Sequence, residues 1–304
     1  MSLAGFDLFQ ELKLANQLPK QIEFARVGQG IFATVYNYLS GQAISQSVCT
    51  GYATTQGLAL EKALTEYIER KAYSQAYYSG YDWATQSSTD GFAAFPIEGC
   101  ASVAKSRART NALHEAIERY AWATWWDDLE IAASVTRGWQ PSSLPGAVHD
   151  LADEVRKRLP PLRYYLIEPK MIGGHPVTTI IFAEIEGGGF LSGGACDSPS
   201  SKGSAIVRAM TELTRHALAL LKLKRSMLEP LTQYEQKLKF FGCGHGDSLV
   251  HDRLNRSGAV GIELPPLEID LGIVHSFGHK VAVHRCLFER QPSFVAGRVD
   301  RLCL

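Results

Sequence analysis

The spacing of apolar residues changes period several times along the chain, and each change predicts an element. From Arg26 to Gly51 the text is rich in Val, Ile, Thr, Tyr and Phe; IFATVYNYL and AISQSVCTGY predict strands joined by a turn at Ser40-Gly41. The period then becomes helical from about Gln56 to Tyr77: Leu60, Leu64, Tyr67 and Ile68 share one face, and Lys62, Glu66, Glu69 and Tyr73 line another. SSTDGFAAFPIEGCAS reads as a polar loop punctuated by Gly, Pro and Ser. A second helix follows from about Val103 to Asp127, with Ala112, Leu113, Ala116, Ile117 and Tyr120 on its apolar face and Arg107, Asn111, Glu115, Glu118 and Trp122 on the other. After a Gly/Pro/Ser loop at 137–146, RYYLIEPK and VTTIIFAEIE predict strands, the latter buried on both faces. A Gly-rich turn from Gly187 to Gly194 leads to a third helix over about Ser204 to Lys224. A helix at about Pro230 to Lys239, a glycine loop, and the strands LEIDLGI and HKVAVHRCLF complete the order. An arm at 1–22 precedes it, and no linker isolates a second domain, so the expectation is one α/β domain over 1–304: repeated strand–helix units around a mixed sheet.

Composition narrows the classes. The chain has 304 residues, 45% hydrophobic and 20% charged, with formal net charge +0, the balance of a globular protein with a sizeable core. Neutral charge argues against nucleic acid as partner. No apolar run is long enough to span a membrane, and MSLAGFDLFQELK lacks a signal-peptide layout, so a cytoplasmic location is expected. The six cysteines form no Cys-x-x-Cys pair, which argues for reduced thiols and against a zinc ribbon. Cys243 and His245 in FGCGHGDS are a candidate catalytic pair for a cysteine-based amidase.

One short word occurs twice. ALTEYIERKA carries Glu66, Glu69 and Arg70; ALHEAIERYA carries Glu115, Glu118 and Arg119 at the same relative positions. The third helix repeats it loosely in AMTELTRHA, with Arg208, Glu212 and Arg215. Residues three apart share a helix face, so each word sets two carboxylates side by side. A solvated face of Glu–Arg pairs would explain one copy, at a few tenths of a kcal/mol each. Two copies in one register point instead to acids gathered around a cation, an oxygen-ligand site for magnesium with a nucleotide. A di-iron bundle would need Glu-x-x-His words, and no histidine takes that position.

With these words in hand, the chain resembles the YcaO-domain family. CTGYATTQGLALEKALTEYIERKA is similar to its first signature, a glycine-bearing loop and an acidic helix. DGFAAFPIEGCASVAKSRARTNALHEAIERYAWATWW is similar to the second, and GACDSPSSKGSAIVRAMTELTRHALAL to the third. The resemblance spans about residues 45–225 and implies a YcaO-like α/β fold with a central nucleotide cleft. It also implies ATP and Mg2+, used to phosphorylate a backbone amide oxygen of a peptide, after which a nucleophile gives an azoline, thioamide or amidine. By the same carry-over Glu66, Glu69, Glu115 and Glu118 would face metal ions. Arg70 and Arg119 would hold phosphate or structure, with Arg208 and Glu212 as further nucleotide contacts.

The chain departs from the family pattern at charged positions. Lys62 stands where a small serine is usual, and Val103 and Arg107 stand where an Asn and a further acid are usual. Two expectations follow. Either Lys62 contacts phosphate in a working enzyme, or Lys62 and Arg107 replace metal by pairing with Glu66 and Glu115 in a non-catalytic subunit that binds peptide or a partner enzyme. The chain is short for a fused peptide-recognition domain, which implies a separate leader-peptide-binding or activating subunit; a homodimer stays open.

Overall fold

A computed structural model of the chain describes residues 4–16, 18–19, 21–36, 48–77, 91–97, 100–141, 146–159, 162–174, 176–224, 231, 233–276, 280–292, 294 and 299–302. In chain order the elements are α1 (Ala4–Leu14), β1 (Gln21–Val27), β2 (Gly30–Tyr36), β3 (Val48–Ala53), α2 (Gln56–Tyr77), β4 (Gly91–Pro96) and α3 (Ala101–Asp127). Then come β5 (Ala133–Arg137), α4 (Gly146–Arg156), β6 (Leu162–Pro169), β7 (Val177–Ile185), β8 (Phe190–Asp197) and α5 (Lys202–Lys224). The tail holds α6 (Gln233–Gly242), α7 (Asp247–Asn255), β9 (Leu267–Ser276) and β10 (Lys280–Phe288). The expected turn at Ser40-Gly41 lies outside the described residues.

The chain divides into two compact units: Met1–Gln86 with Asp90–Leu113 and Leu267–Leu287, and Ser87–Thr89 with His114–Pro266 and Phe288–Leu304. The first contains the sheets β1-β2-β3 and β4-β10-β9; the second contains β5-β6-β7-β8. Pairings of described register are antiparallel, and the parallel ones are isolated bridges, Ile131 with Val260 and Met171 with Ile262.

In the first unit α2 forms because Ala59, Leu60, Ala63, Leu64, Tyr67 and Ile68 fall on one face and are buried there against Leu8, Leu12, Ala33 and Val35. In the second unit β7 is covered on both faces; Ile180, Ile181, Phe182 and Ala183 are fully buried, as its β-branched run predicts. Phe182 sits among Trp122, Trp125 and Trp126 of α3, with ring centroids 6.0 to 6.4 Å apart. The end of α3 leaves carbonyls without helical partners. Arg253 of α7 donates to the carbonyls of Trp125 (2.5 Å) and Ile131 (3.1 Å) and lies over the Trp125 ring. Burial pulls the Arg253 pKa down to about 10. Among the described residues no helix is long and apolar enough to cross a membrane.

Two segments read as loops are strands. FAAF in the expected polar loop is β4, which pairs with β10; its neighbours Thr89-Asp90-Gly91 and Pro96 hid a run too short to show a period. The expected Gly-rich turn ends early: Gly187, Gly188 and Gly189 turn with φ of 92°, 113° and 115°, while Gly193 and Gly194 lie inside β8. Their glycines serve close packing, not turning (below).

Candidate nucleotide and metal site

The strands β3, β4 and β8 each end their sheets as described. A terminal strand carries N–H and C=O groups with no strand partner. The polar stripes of the helices meet this need.

In the first unit the Glu66 carboxylate accepts the Thr50 N–H of β3 at 2.8 Å on one oxygen and Arg70 at 2.5 Å on the other. Glu69, one turn on, accepts the Ala94 N–H of β4 at 3.2 Å. Lys62 donates to the Tyr52 carbonyl of β3 at 2.9 Å. Burial works against the Arg70 charge, but the neighbouring Glu66, Cys49 and Glu69 outweigh it and hold its pKa above the usual guanidinium value. The Arg107 guanidinium lies 5.1 Å from the centre of the Phe95 ring. Arg70 is thus a cation on Glu66, and Lys62 also reaches a backbone oxygen.

In the second unit α3 presents His114, Glu115, Glu118 and Arg119, and α5 presents Arg208, Glu212 and Arg215. Glu115 pairs with Arg119 at 2.5 Å, as Glu66 does with Arg70, so the ion pairs of the plainer reading form in both copies of the word. Glu212 accepts the Gly194 N–H of β8 at 3.1 Å and Arg215 at 2.9 Å. Arg208 donates to the Cys196 carbonyl at 3.2 Å and lies 3.9 Å from Asp197. Glu118 differs from the rest. It has no hydrogen-bond partner among the described residues, and burial, with Glu212 next, pushes its pKa up to about 8. Burial also raises Glu212, and burial with the Glu118 charge pushes the Cys196 thiol up to about 12. A Cβ at position 194 would stand 3.2 Å from the Glu118 carboxylate and 2.5 Å from the Trp122 ring, so the glycine keeps this approach open.

The donor set fits a hard divalent cation. Two carboxylates that burial and mutual repulsion drive toward the protonated state gain most from a positive ion between them, and oxygen ligands suit magnesium. The same half holds Arg208 and Arg119, both of which favour the Glu118 charge. The described site residues therefore fall into two sets: Lys62, Glu66, Glu69 and Arg70 in the first unit, and Glu115, Glu118, Arg119, Arg208 and Glu212 in the second.

Sequence reading missed His216. It is fully buried, and its Nδ1 lies 2.7 Å from the Ser192 carbonyl while Arg215 lies 3.3 Å from its Nε2. A carbonyl accepts and a guanidinium donates, so Nδ1 carries the proton and Nε2 accepts. Burial, then Arg215, pulls its pKa down to about 3, which keeps the ring neutral. Its helical spacing from Glu212 was the available signal. The Cys243–His245 pair has no such geometry: Cys243 is exposed, and the His245 ring stacks on Phe240.

The model of the family described as YcaO cyclodehydratase, ATP- and Mg2+-binding, matches residues 76–253. No curated protein matches the chain significantly. Among solved structures it is similar to YcaO from Methanopyrus kandleri bound with AMPPCP and Mg2+, at 14% identity and TM-score 0.60 over 95% of this chain and 91% of that one. It is also similar to the E. coli microcin synthetase McbBCD complex, at 10% identity and TM-score 0.57 over 89% of this chain and 88% of that one. The same complex with pro-MccB17 bound matches at 11% identity and TM-score 0.55, over 89% and 88%. At these identities the solved structures establish the fold, and the family model, which covers more than half of the sequence, adds the lineage. The chain belongs to the YcaO cyclodehydratase family, a family of ATP- and Mg2+-binding proteins.

Proposed function

We propose that the chain uses ATP and Mg2+ to activate a backbone amide of a ribosomally made peptide. The amide oxygen takes the terminal phosphoryl group and ADP departs. A nucleophile then adds to the amide carbon and phosphate leaves, giving an azoline, thioamide or amidine according to whether a side chain, sulfide or amine attacks. The observation that carries this reading is Glu118, a part-buried acid without a hydrogen-bond partner among the described residues, beside Glu212 and with Arg208 and Arg119 at hand. Magnesium, when bound, would neutralise the polyphosphate charge.

Glu118, with Glu115 and Glu212, would hold the cation in the second unit. The backbone and arginine bonds of Glu212 leave it lone pairs, since an ionised carboxylate has about four acceptor positions. Arg208 and Arg119 would take phosphate oxygens. The likeness to a synthetase complex with a bound pro-peptide supports a peptide substrate and a separate leader-binding or activating subunit. Calorimetry of the purified chain with Mg-ATP tests the reading, together with turnover of a pro-peptide by Glu118→Gln. The expected loss is about hundredfold or more, because an ion-stabilised transition state is worth several kcal/mol, with the melting curve intact. Full turnover by Glu118→Gln would end it.

A second reading, a non-catalytic subunit on the same fold, is favoured by Lys62, a cation where the family pattern has a small residue. It predicts association with a peptide or partner enzyme and no Mg-ATP binding. Tight Mg-ATP binding by the chain alone counts against it.

A further inference from the structure

A cavity of about 390 Å³ lies in the first unit, lined by Lys105, Ser106 and Arg109 of α3, Gly272 and Val274 of β9, and Val283 and His284 of β10. None of these residues belongs to the acidic words. Its size is that of a small-ligand or single-side-chain pocket.

The polar groups around it are ordered. Asp270 holds His284 Nε2 at 2.6 Å and is itself gripped by Arg109, through Nε at 3.0 Å and Nη2 at 2.5 Å. That fork leaves Arg109 Nη1 without a partner among the described residues. The Arg109 hydrogen bonds hold the Asp270 carboxyl down at about 2, so the aspartate is charged and spent on its two neighbours. The other ring nitrogen of His284, Nδ1, faces Gly272: a Cβ there would come within 2.8 Å of it. Lys105 is exposed and makes no ion pair among the described residues. Lys105 and Arg109 against Asp270 alone leave an excess of positive charge. Asp270, His284 and Cys286 lie close enough together to suggest a metal site. The Arg109 fork on Asp270 and a thiol that burial pushes up to about 12 both work against a metal there.

Among the described residues the strand beside the cavity has a strand partner on one side only. β9 ends the sheet β4-β10-β9, and Leu271 and Val274 are 44% and 45% exposed on it. Asp270, Gly272 and Val274 alternate onto the cavity side. An edge strand with exposed apolar residues accepts an added strand through its backbone, and pockets for alternate side chains give such binding its specificity.

We propose that an extended peptide segment pairs with β9 and places an acidic side chain in this cavity, between Lys105, Arg109 and Ser106. The proposal rests on the reading of a peptide substrate and adds where and by what chemistry a segment outside the reacting amide is held. A carboxylate matches the two cations and the hydroxyl, and the valine walls take its methylene stem.

The test uses the full chain and a short fluorescein-labelled peptide of alternating Thr and Val with one central Glu, beside its Gln counterpart. The Glu peptide is expected to bind about tenfold or more tightly than the Gln peptide, from charge-assisted bonding. Lys105→Glu, a surface change, should remove that preference, and Gly272→Leu, which fills the cavity, should abolish binding. Both variants should bind Mg-ATP like the parent, so loss of the peptide site is distinct from failure of the ATP reading. Equal binding of the two peptides, or unchanged binding by Lys105→Glu, overturns the proposal. So does sedimentation showing that the chain dimerises through β9, disrupted by Lys105→Glu, while no peptide binds.

Discussion

In the first unit Gly51 of β3 lies against α2 so closely that a Cβ would collide with the Ala59 carbonyl and stand 2.7 Å from the Ala63 nitrogen. In the second unit Gly193 of β8 stands the same way against Ala209 and Leu213 of α5. Pairing the two glycines pairs the helices too. Lys62, on the Tyr52 carbonyl, matches Glu212, on the Gly194 N–H; Glu66, on the Thr50 N–H, matches His216, on the Ser192 carbonyl. The backbone device is shared and the side-chain chemistry is inverted at both positions. A strand residue points its N–H and its C=O to the same edge, so either a donor or an acceptor on the helix can satisfy it. Acids on these helices are therefore edge-strand partners as well as candidate ligands, and Glu118 has no such partner among the described residues.

The largest effect should come from the glycines. Gly51→Ala and Gly193→Ala should each destabilise by about 3 kcal/mol, the upper range for overpacking against backbone, read by denaturant unfolding. A tolerated alanine at one site and not the other would break the comparison. Next is pH. His216 has its pKa pulled from 6.5 to about 3 by burial, so the unfolded chain takes up its proton first. Its contribution is complete above about pH 6.5 and is lost as pH falls toward 3, by at most about 1.4 kcal/mol per pH unit. A His216→Asn variant should show a shallower loss over that window, and an unchanged slope would remove the buried neutral ring from the account. The smallest effect belongs to Lys62→Met. An exposed hydrogen bond is worth about 0.5 kcal/mol, so stability should barely move. A large loss would give Lys62 a heavier structural role than its counterpart comparison assigns.

The long helices were legible because their apolar faces repeat without interruption: α2 runs Gln56–Tyr77 as its spacing predicts, and α3 and α5 begin within about two residues of expectation. β7 was legible from its β-branched run. β4 and β8 were not, because small residues and glycines carry little periodic signal. The site was legible in part. The words ending in Arg70 and Arg119 form the pairs their spacing predicts, since that contact is local to one helix. The register of the third word was off by one turn: the text aligns Glu212 with Glu66, whereas the strand–helix contact aligns it with Lys62.

What the sequence determined by itself is therefore the local and the chemical: which faces of α2, α3 and α5 are apolar, where the acids and arginines sit on them, and the family to which their order belongs. The tertiary structure decided which backbone groups Glu66, Glu69 and Glu212 serve, and that a neutral His216 takes on one helix the place Glu66 has on the other. Helical spacing fixes neighbours within one helix, but contacts between a helix and an edge strand depend on how closely their backbones approach, and Gly51 and Gly193 show that distance only once the chain is folded.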